Sequence, residues 1–366
     1  MMQTNSRKNF CLWAVVISLL LLSGCTTLRP KDKLVLEPVL YEQLQGWEAD
    51  HHARALKAFL RSCQALEKKS DASLRAMPQL GGTPKSWRYV CRQAQETTPS
   101  SAKVFFETYF SPFRIQNKQN PKGLFTGYYE SVLQGSRKRQ GEYIYPLYRR
   151  PADIVPNQPY YSRKEIDRGA LSGKQLELIW LRDPVEAFFL HIQGSGLVTL
   201  TDGTKIRVGY EGKNNHPYVA LGKCMIERGL LTKETVSAQT IKAWLRSHPQ
   251  EAQALMQENP SYVFFRKVES TGAIGAQGIP LTPYRSLAVD HRFIPYGVPL
   301  WLDVPLTGST IYPNKPFQHL MIAQDTGGAI RGPVRGDIFF GRGKKAEHYA
   351  GTQNAVGSYV ALLPKE

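Results

Sequence analysis

The sequence predicts a mainly β protein preceded by helices, and three observations lead to that prediction. The 366-residue chain contains 30 Gly and 24 Pro, a content that suits turn-rich β structure better than a helix bundle. Residues 40–115 repeat apolar side chains at helical spacing. After Gly123, short aromatic and β-branched runs alternate with Gly, Pro and Asp, which is typical of strands joined by turns.

The N-terminus predicts export. A basic pair, Arg7 and Lys8, precedes an apolar run over residues 10–22, an order typical of a secretory signal peptide. The run is too short for a comfortable transmembrane helix. We therefore expect residues 1–24 to be a signal peptide that is removed after export.

The residues at the predicted cleavage site indicate lipid attachment. Leu22-Ser23-Gly24-Cys25 resembles a bacterial lipobox, which implies cleavage before Cys25 and acylation of its thiol and new amine. Three acyl chains exceed what stable anchoring requires. Position 26 is Thr rather than the Asp that retains such lipoproteins in the inner membrane. The resemblance therefore implies an anchor in the lipid of the outer membrane, on its periplasmic face, and a tether over residues 25–39.

The charge balance limits the class of partner. The chain has 47 Lys and Arg against 30 Asp and Glu, a formal net charge of +17 at pH 7. In the cytosol such an excess would suggest nucleic acid. An exported protein instead meets the carboxylates of the cell wall and anionic lipid. We expect no nucleic-acid partner and a location at the wall or the membrane surface.

The region between residues 40 and 115 contains two amphipathic helical patterns, one carrying Cys63 and the other Cys91. An oxidising compartment permits one disulfide, and these two cysteines are the favoured pair because both lie in the helices. Buried thiols at these positions and at Cys224 are the alternative. No cysteine has CxxC spacing, so no metal site is expected.

Two β regions follow, separated by helical segments. The first contains predicted strands over 123–132, 143–148, 177–180, 187–193 and 205–210. Helices are predicted over 217–228 and 234–247. The second β region contains predicted strands over 261–265, 287–289, 298–304, 320–323, 337–340 and 359–363.

The most unusual stretch contains two carboxylates twelve positions apart, Asp325 and Asp337, each beside glycines at a predicted strand end. Glycines let a bulky ligand approach the backbone, and loops at strand ends carry catalytic groups on rigid scaffolds. The apolar residues that follow Asp337 would raise its pKa towards that of a general acid. The alternative is that both residues form turns with their own backbone.

Other candidate sites are less well supported. Ser195 lies in Gln-Gly-Ser-Gly, which lacks the spacing of a serine-hydrolase elbow. His191, on a predicted strand, is expected to be a core histidine. His51 and His52 have no third ligand at metal-binding spacing.

Five ordered motifs point to a known family. They are Phe125-Thr126-Gly127-Tyr128-Tyr129, Gln193-Gly194-Ser195-Gly196, Tyr210-Glu211-Gly212-Lys213-Asn214, the stretch from Asn259 to Phe265, and Asp325-Thr326-Gly327-Gly328-Ala329-Ile330. With the lipobox, they closely resemble the membrane-bound lytic murein transglycosylase A family, family 102 of the glycoside hydrolases. The resemblance implies a double-psi β-barrel domain over 40–122 plus 263–366. It also implies an inserted β-barrel domain over 123–262, with a glycan groove between the two.

The resemblance also implies site residues. Asp337 matches the catalytic acid of the family, Asp325 is its neighbour, and Asp290 is a supporting candidate. Tyr128, Tyr129, Tyr210 and Tyr218 could stack on sugar rings, and a place in the β core is the equally weighted alternative for them. The full set of predicted substrate-binding residues is Tyr128, Tyr129, Gln193, Gly194, Ser195, Tyr210, Lys213, Asn214, Asp290, Gly327 and Gly328.

The implied activity is peptidoglycan lytic exotransglycosylase activity, in which the β-1,4 bond between MurNAc and GlcNAc is cleaved and 1,6-anhydro-MurNAc ends form. A single carboxyl group suffices when O6 of the same sugar is the nucleophile, and no cofactor is required. Peptidoglycan glycan strands are the implied partner, and other wall-remodelling enzymes are further candidates.

Two alternatives are retained. A hydrolase would use Asp325 to activate water while Asp337 protonates the leaving group. A non-catalytic wall-binding lipoprotein would use its basic surface and would leave Asp337 exposed and away from any cleft.

Overall fold

The computed structural model describes residues 32–70, 80, 82–307 and 315–365. The predicted signal peptide, Cys25 and the first part of the predicted tether lie outside these residues. Within the part of the chain that is described, no helix is long and apolar enough to cross a membrane.

In the described part of the chain, three α-helices lie between residues 52 and 109, five between residues 163 and 256, and one over residues 344–352. They are α1 His52–Glu67, α2 Pro84–Glu96, α3 Ala102–Tyr109, α4 Arg163–Asp167, α5 Pro184–Gln193, α6 Leu221–Glu227, α7 Ala238–Ser247, α8 Pro249–Met256 and α9 Lys344–Thr352.

Thirteen strands, connected into one sheet, lie in the described part of the chain. They are β1 Leu34–Pro38, β2 Phe110–Asn117, β3 Gly123–Ser136, β4 Tyr145–Tyr148, β5 Glu177–Leu181, β6 Ser195–Leu200, β7 Lys205–Lys213, β8 Val263–Val268, β9 Ser286–Val289, β10 Pro299–Leu306, β11 Lys315–Asp325, β12 Arg335–Arg342 and β13 Asn354–Pro364.

One strand, β3, belongs to both β regions. Hydrogen-bonded neighbours run in the order β1-β2-β13-β10-β11-β9-β12-β3-β6-β7-β8, and β5 joins β3 and β4. The first half of β3 pairs in parallel with β12, with Thr126 opposite Asp337. Its second half pairs in parallel with β6, with Ser131 opposite Gly196. A continuous backbone therefore connects the two parts of the sheet.

The N-terminal helices pack on the sheet that contains β10 and β11. Phe59 of α1 is fully buried against the rings of Phe106 and Phe110, within the largest apolar core of the molecule. Cys63 and Cys91 form a disulfide that joins α1 to α2, which confirms the favoured pairing. Cys224 is a buried free thiol.

Several elements differ from the sequence-based predictions. The helical region predicted over 40–115 ends at Tyr109, because β2 follows it, and strand β6 and helix α9 were not predicted. The predicted strand over 187–193 is the end of helix α5, which begins with Asp183 as N-cap: its carboxylate accepts from the N–H groups of Val185 and Glu186. A continuous apolar run does not distinguish a buried strand from a buried helix. The predicted tether to residue 39 is too long, because β1 is paired along its length with β2.

Candidate active site

Asp325 and Asp337 lie on either side of the same residue. Asp325 ends β11 and Asp337 is the third residue of β12, and both are register partners of Ala288 in β9. The carboxylates are thus two strands apart, which separates their Cα atoms by about 10 Å. Partners directly opposite one another share a face of the sheet, and the small side chain of Ala288 leaves space between them.

Asp337 is held by a short chain of polar groups from two strands. The hydroxyl of Thr126 donates to Oδ1 of Asp337 at 2.6 Å, and Nη2 of Arg335 donates to Oγ1 of Thr126 at 2.8 Å. Burial raises the pKa of Asp337, while the Arg335 charge and the Thr126 hydroxyl oppose that increase. A half-buried carboxyl group with a raised pKa suits a general acid.

The Thr126 hydroxyl also determines where a proton can reside on Asp337. Arg335 can only donate, so the oxygen of Thr126 accepts from it and the single Thr126 proton points at Oδ1. A proton on Oδ1 would face that donor. The protonated form of Asp337 therefore carries its proton on Oδ2.

The carboxylate of Asp325 accepts more hydrogen bonds than that of Asp337 within the described residues. Its Oδ1 accepts from the N–H groups of Ala276 and Thr326, at 2.8 and 2.9 Å, and its Oδ2 accepts from the Tyr128 hydroxyl at 2.8 Å. Burial raises the pKa of Asp325 to about 6 against these hydrogen bonds, and the nearby Asp337 charge adds to the increase. Three of the roughly four acceptor positions of this carboxylate are thereby occupied.

An apolar cluster forms the floor beneath the two carboxylates. The ring of Tyr128 packs against that of Phe339 with centroids 5.2 Å apart. The cluster consists of Tyr128, Ala273, Leu281, Ala288, Ile330 and Phe339. Low polarity beneath the carboxylates explains why desolvation is the largest contribution to both raised pKa values.

Asp290 has a structural role instead of the predicted contact with substrate. Its side chain is fully buried, and it accepts from Nε and Nη2 of Arg292 and from the N–H of Gly332. Burial would raise the pKa of Asp290, but these donors lower it overall. The residue therefore fixes the loop around Gly332, next to the glycines at 327 and 328.

The two predicted tyrosines of β3 point to opposite faces of the sheet. Tyr128 is largely buried in the floor and positions Asp325, so it is not a stacking surface. Tyr129 is buried on the other face, where its hydroxyl donates to Glu347 and accepts from Lys242. The predicted contact of these two rings with substrate is corrected in favour of the core alternative, because each ring is buried on its own face of the sheet.

Several predicted substrate-binding residues between β3 and the end of the β7 motif are buried or hold the backbone instead of facing solvent. The side chain of Gln193 accepts from the N–H of Tyr129, Gly194 caps α5 in a left-handed conformation, and Ser195 is largely buried. Asn214 is fully buried, donating to the carbonyls of Tyr161 and Pro260, so its predicted contact with substrate is also corrected.

The accessible members of this group are aromatic or basic. Tyr210 is 52% exposed and Tyr218 is 38% exposed, while Lys213 is exposed as well. Gly328 is exposed and Gly327 is half-buried beside Asp325. These residues remain available to a ligand.

Sequence reasoning missed Thr126, Arg335 and the N–H of Ala276 as parts of the site. Thr126 lies in the first motif, and strand alternation places it on the same face as Tyr128, which was the available signal. Arg335 lies two residues before Asp337 on β12, so alternation along that strand was an available signal for it as well. Ala276 becomes a neighbour of Asp325 only through tertiary structure. Among the residues that the structure describes, no cluster of three or more His, Cys, Asp or Glu could hold a metal ion.

Comparison with known proteins gives consistent matches. Residues 124–266 match the family model described as the MltA specific insert domain, and residues 285–363 match the 3D domain. The membrane-bound lytic murein transglycosylase A of Escherichia coli K12 is 40% identical over 243 residues, a match that spans 65% of each chain. The matched segment thus covers slightly under two thirds of that relative.

Solved structures match over more of the chain. A membrane-bound lytic murein transglycosylase from Agrobacterium tumefaciens is 34% identical with a TM-score of 0.80, covering 90% of this chain and 97% of that one. E. coli MltA with bound chitohexaose is 29% identical with a TM-score of 0.69, covering 91% and 92%. The prediction of a mainly β fold with N-terminal helices and a double-psi β-barrel is confirmed.

Proposed function

The chain belongs to the membrane-bound lytic murein transglycosylase A family, and we propose that it cleaves the MurNAc–GlcNAc bond of peptidoglycan by the non-hydrolytic route. In that route O6 of the MurNAc attacks C1 of the same ring, and a 1,6-anhydro end forms. The observation that carries the proposal is the pair of half-buried carboxyl groups flanking Ala288. Within the described part of the chain, donors occupy both oxygens of Asp325 but only Oδ1 of Asp337.

Asp337 acts first as the acid. Its raised pKa keeps a proton available, and Oδ2 donates that proton to the bridging oxygen as the bond to C1 breaks. The leaving GlcNAc then departs with a 4-hydroxyl. The resulting Asp337 carboxylate is stabilised by the Thr126 hydroxyl and the Arg335 charge.

Asp337 acts next as the base. Its carboxylate removes the proton from O6 while O6 forms the bond to C1, so the enzyme returns to its starting protonation state without consuming water. Attack within one ring has a high effective concentration, which replaces a bound nucleophile. No cofactor takes part in this sequence.

Asp325 supports the reaction through its charge. Three donors occupy its oxygens, so it is poorly placed to activate a water molecule, and this observation argues against the hydrolase alternative. A negative charge beside the apolar floor would stabilise the positive charge that develops at C1. The partial burial of Asp337 likewise argues against a non-catalytic wall-binding protein, for which an exposed carboxylate was expected.

The glycan is proposed to bind along a groove between two domains, residues 40–122 plus 263–366 and residues 123–262. Support comes from the exposed side chains of Tyr210, Tyr218 and Lys213 and from Gly327 and Gly328 beside Asp325. The E. coli relative, whose structure contains chitohexaose, offers a precedent for a bound oligosaccharide of this type.

The family is named membrane-bound, and we extend that to a specific location. Cys25 would carry the acyl chains, and Thr26 would direct the protein to the periplasmic face of the outer membrane. Other wall-remodelling enzymes are candidate partners at that location.

Digestion of purified sacculi in heavy-oxygen water tests the reaction. The expected products carry 1,6-anhydro ends that are about 18 mass units lighter than hydrolysed ends, resist borohydride reduction and contain no label, since intramolecular attack outcompetes water. Label at new MurNAc C1 positions would refute the transglycosylase proposal and favour a hydrolase. Absence of any cleavage would refute enzymatic activity altogether.

A further inference from the structure

A basic surface lies at the end of β3 that is remote from the carboxylates. The turn after β3 contains Arg137, Lys138 and Arg139 in succession, all exposed. Ten residues of β3 separate this turn from Thr126, which corresponds to about 33 Å of extended strand. The surface is therefore separate from the catalytic face of the sheet.

Neighbouring strands bring further cations to the same turn. Arg182 follows β5, whose Trp180 is the register partner of Ser136. Lys205 begins β7 and pairs with Thr199 of β6, next to the Leu200 that pairs with Gly135. We call the set Arg137, Lys138, Arg139, Arg182 and Lys205 the basic tip.

The acidic residues at the basic tip do not neutralise it. Arg137 lies 3.4 Å from Asp202, and Arg182 lies 3.7 Å from Glu142. Both pairs are half-exposed, and exposed pairs contribute little and are screened by salt. Five cations against two carboxylates leave a local charge of about +3, which would attract anions.

Two apolar side chains, Ile144 and Trp180, lie next to these cations. Ile144, on the strand side of the same turn, is 41% exposed. The Arg139 guanidinium lies 6.0 Å from the centroid of the half-buried Trp180 ring. An exposed aliphatic group and a partly exposed indole among arginines are characteristic of surfaces that rest at a bilayer interface. A site for a soluble polyanion would not require them.

From this combination we propose that the basic tip is a docking surface for a bilayer containing anionic phospholipid. Headgroup phosphates would bind the five cations, and Ile144 and Trp180 would contact the boundary between headgroups and acyl chains. This contact is additional to any lipid anchor at Cys25 and does not depend on the proposed reaction.

Vesicle co-sedimentation of the exported chain carrying Cys25→Ser tests the proposal, because that variant has no acyl chain of its own. Vesicles of phosphatidylcholine alone are compared with vesicles containing one quarter phosphatidylglycerol. We expect binding to the anionic vesicles only, reduced by raising the salt concentration. Equal binding to both vesicles, or binding to neither, would refute the proposal.

Two sets of substitutions locate the contact. Arg137→Gln, Lys138→Gln and Arg139→Gln together should lower vesicle affinity roughly 100-fold, since each basic residue at an anionic surface contributes about fivefold. The control, Lys57→Gln with Lys85→Gln and Arg92→Gln on the exposed faces of α1 and α2, removes the same charge and should have little effect. Equal losses in both variants would refute a localised surface.

A final comparison separates lipid from other polyanions. Ile144→Ser should weaken vesicle binding several-fold while leaving binding to soluble poly-glutamate unchanged, since only a bilayer offers an apolar layer. If Ile144→Ser has no effect on vesicle binding, the tip binds anionic polymers such as wall carboxylates, and the lipid assignment is wrong. Turnover of sacculi should be unaltered in all these variants.

Discussion

The hydroxyl of Thr126 offers a sensitive test of the proposed acid. Thr126→Val keeps the shape of the side chain but removes the 2.6 Å hydrogen bond to Oδ1 of Asp337. Hydrogen bonds to charged groups contribute about 1.5–3 kcal/mol, roughly twice those to neutral groups. The anionic form of Asp337 should therefore lose about 1 kcal/mol more than the protonated form.

The larger loss for the anionic form of Asp337 predicts the direction in which the pH profile shifts. Because Asp337 must be protonated to act as the acid, activity falls on the alkaline side as the proton is lost. A destabilised anion retains its proton to higher pH. The alkaline midpoint of kcat/KM should move upward by about 0.5–1 pH unit, since 1.36 kcal/mol corresponds to one unit. The maximum rate should fall about tenfold, because Asp337 loses its fixed orientation.

The assay is release of soluble muropeptides from sacculi across pH 4–9. Thr199→Val, in β6, removes the same hydroxyl far along the sheet and serves as the control. An alkaline midpoint that stays in place or moves downward in Thr126→Val would refute the assignment of Asp337 as the acid held by Thr126.

Four further outcomes are expected. Asp337→Asn cannot donate a proton and should lower the turnover of sacculi at least 100-fold with little change in melting temperature, and near-normal turnover would remove it from the mechanism. Asp325 has a folded-state pKa of about 6, above its unfolded value, so the stability it contributes is lost as pH rises from about 4 through 6. Asp325→Asn should therefore gain about 2–3 kcal/mol relative to the parent between those pH values in urea titrations, and a pH-independent difference would contradict the raised pKa. Replacing Cys63 and Cys91 with Ser should lower the unfolding free energy by about 3–4 kcal/mol, because the bond closes a 28-residue loop, and an unchanged value would show that it contributes nothing. Cys25→Ala should move the protein to the soluble periplasmic fraction, whereas retention in membranes at high salt would count against the lipid anchor.

The sequence identified the fold class and the two central carboxylates because these depend on local signals. Glycine-rich strand ends singled out Asp325 and Asp337, and their alignment opposite Ala288 follows from register. The burial of Asn214 and Asp290 could not be predicted, since their partners are distant in sequence or contributed by backbone groups. The motif residues were correct as markers of the family but did not reveal which of them contact solvent.

Helix α5, part of which was predicted to be a strand, shows a second limit of prediction from sequence. The run over 187–193 is apolar throughout, so periodicity carried no information about its type. Asp183 followed by Pro184 was the signal for a helix N-terminus, because the carboxylate caps free N–H groups and proline suits the first turn. At this position the capping residue and the proline indicate the type of element better than the seven apolar residues do.

The shared strand β3 has a consequence for how the molecule evolves and unfolds. Its first half is completed by β12 and its second by β6, so excising residues 124–266 would remove an interior strand from the remaining sheet. Neither piece could fold in isolation without leaving unpaired backbone groups. The two parts should accordingly melt in a single cooperative transition, and recombination between relatives would have to exchange them as one block.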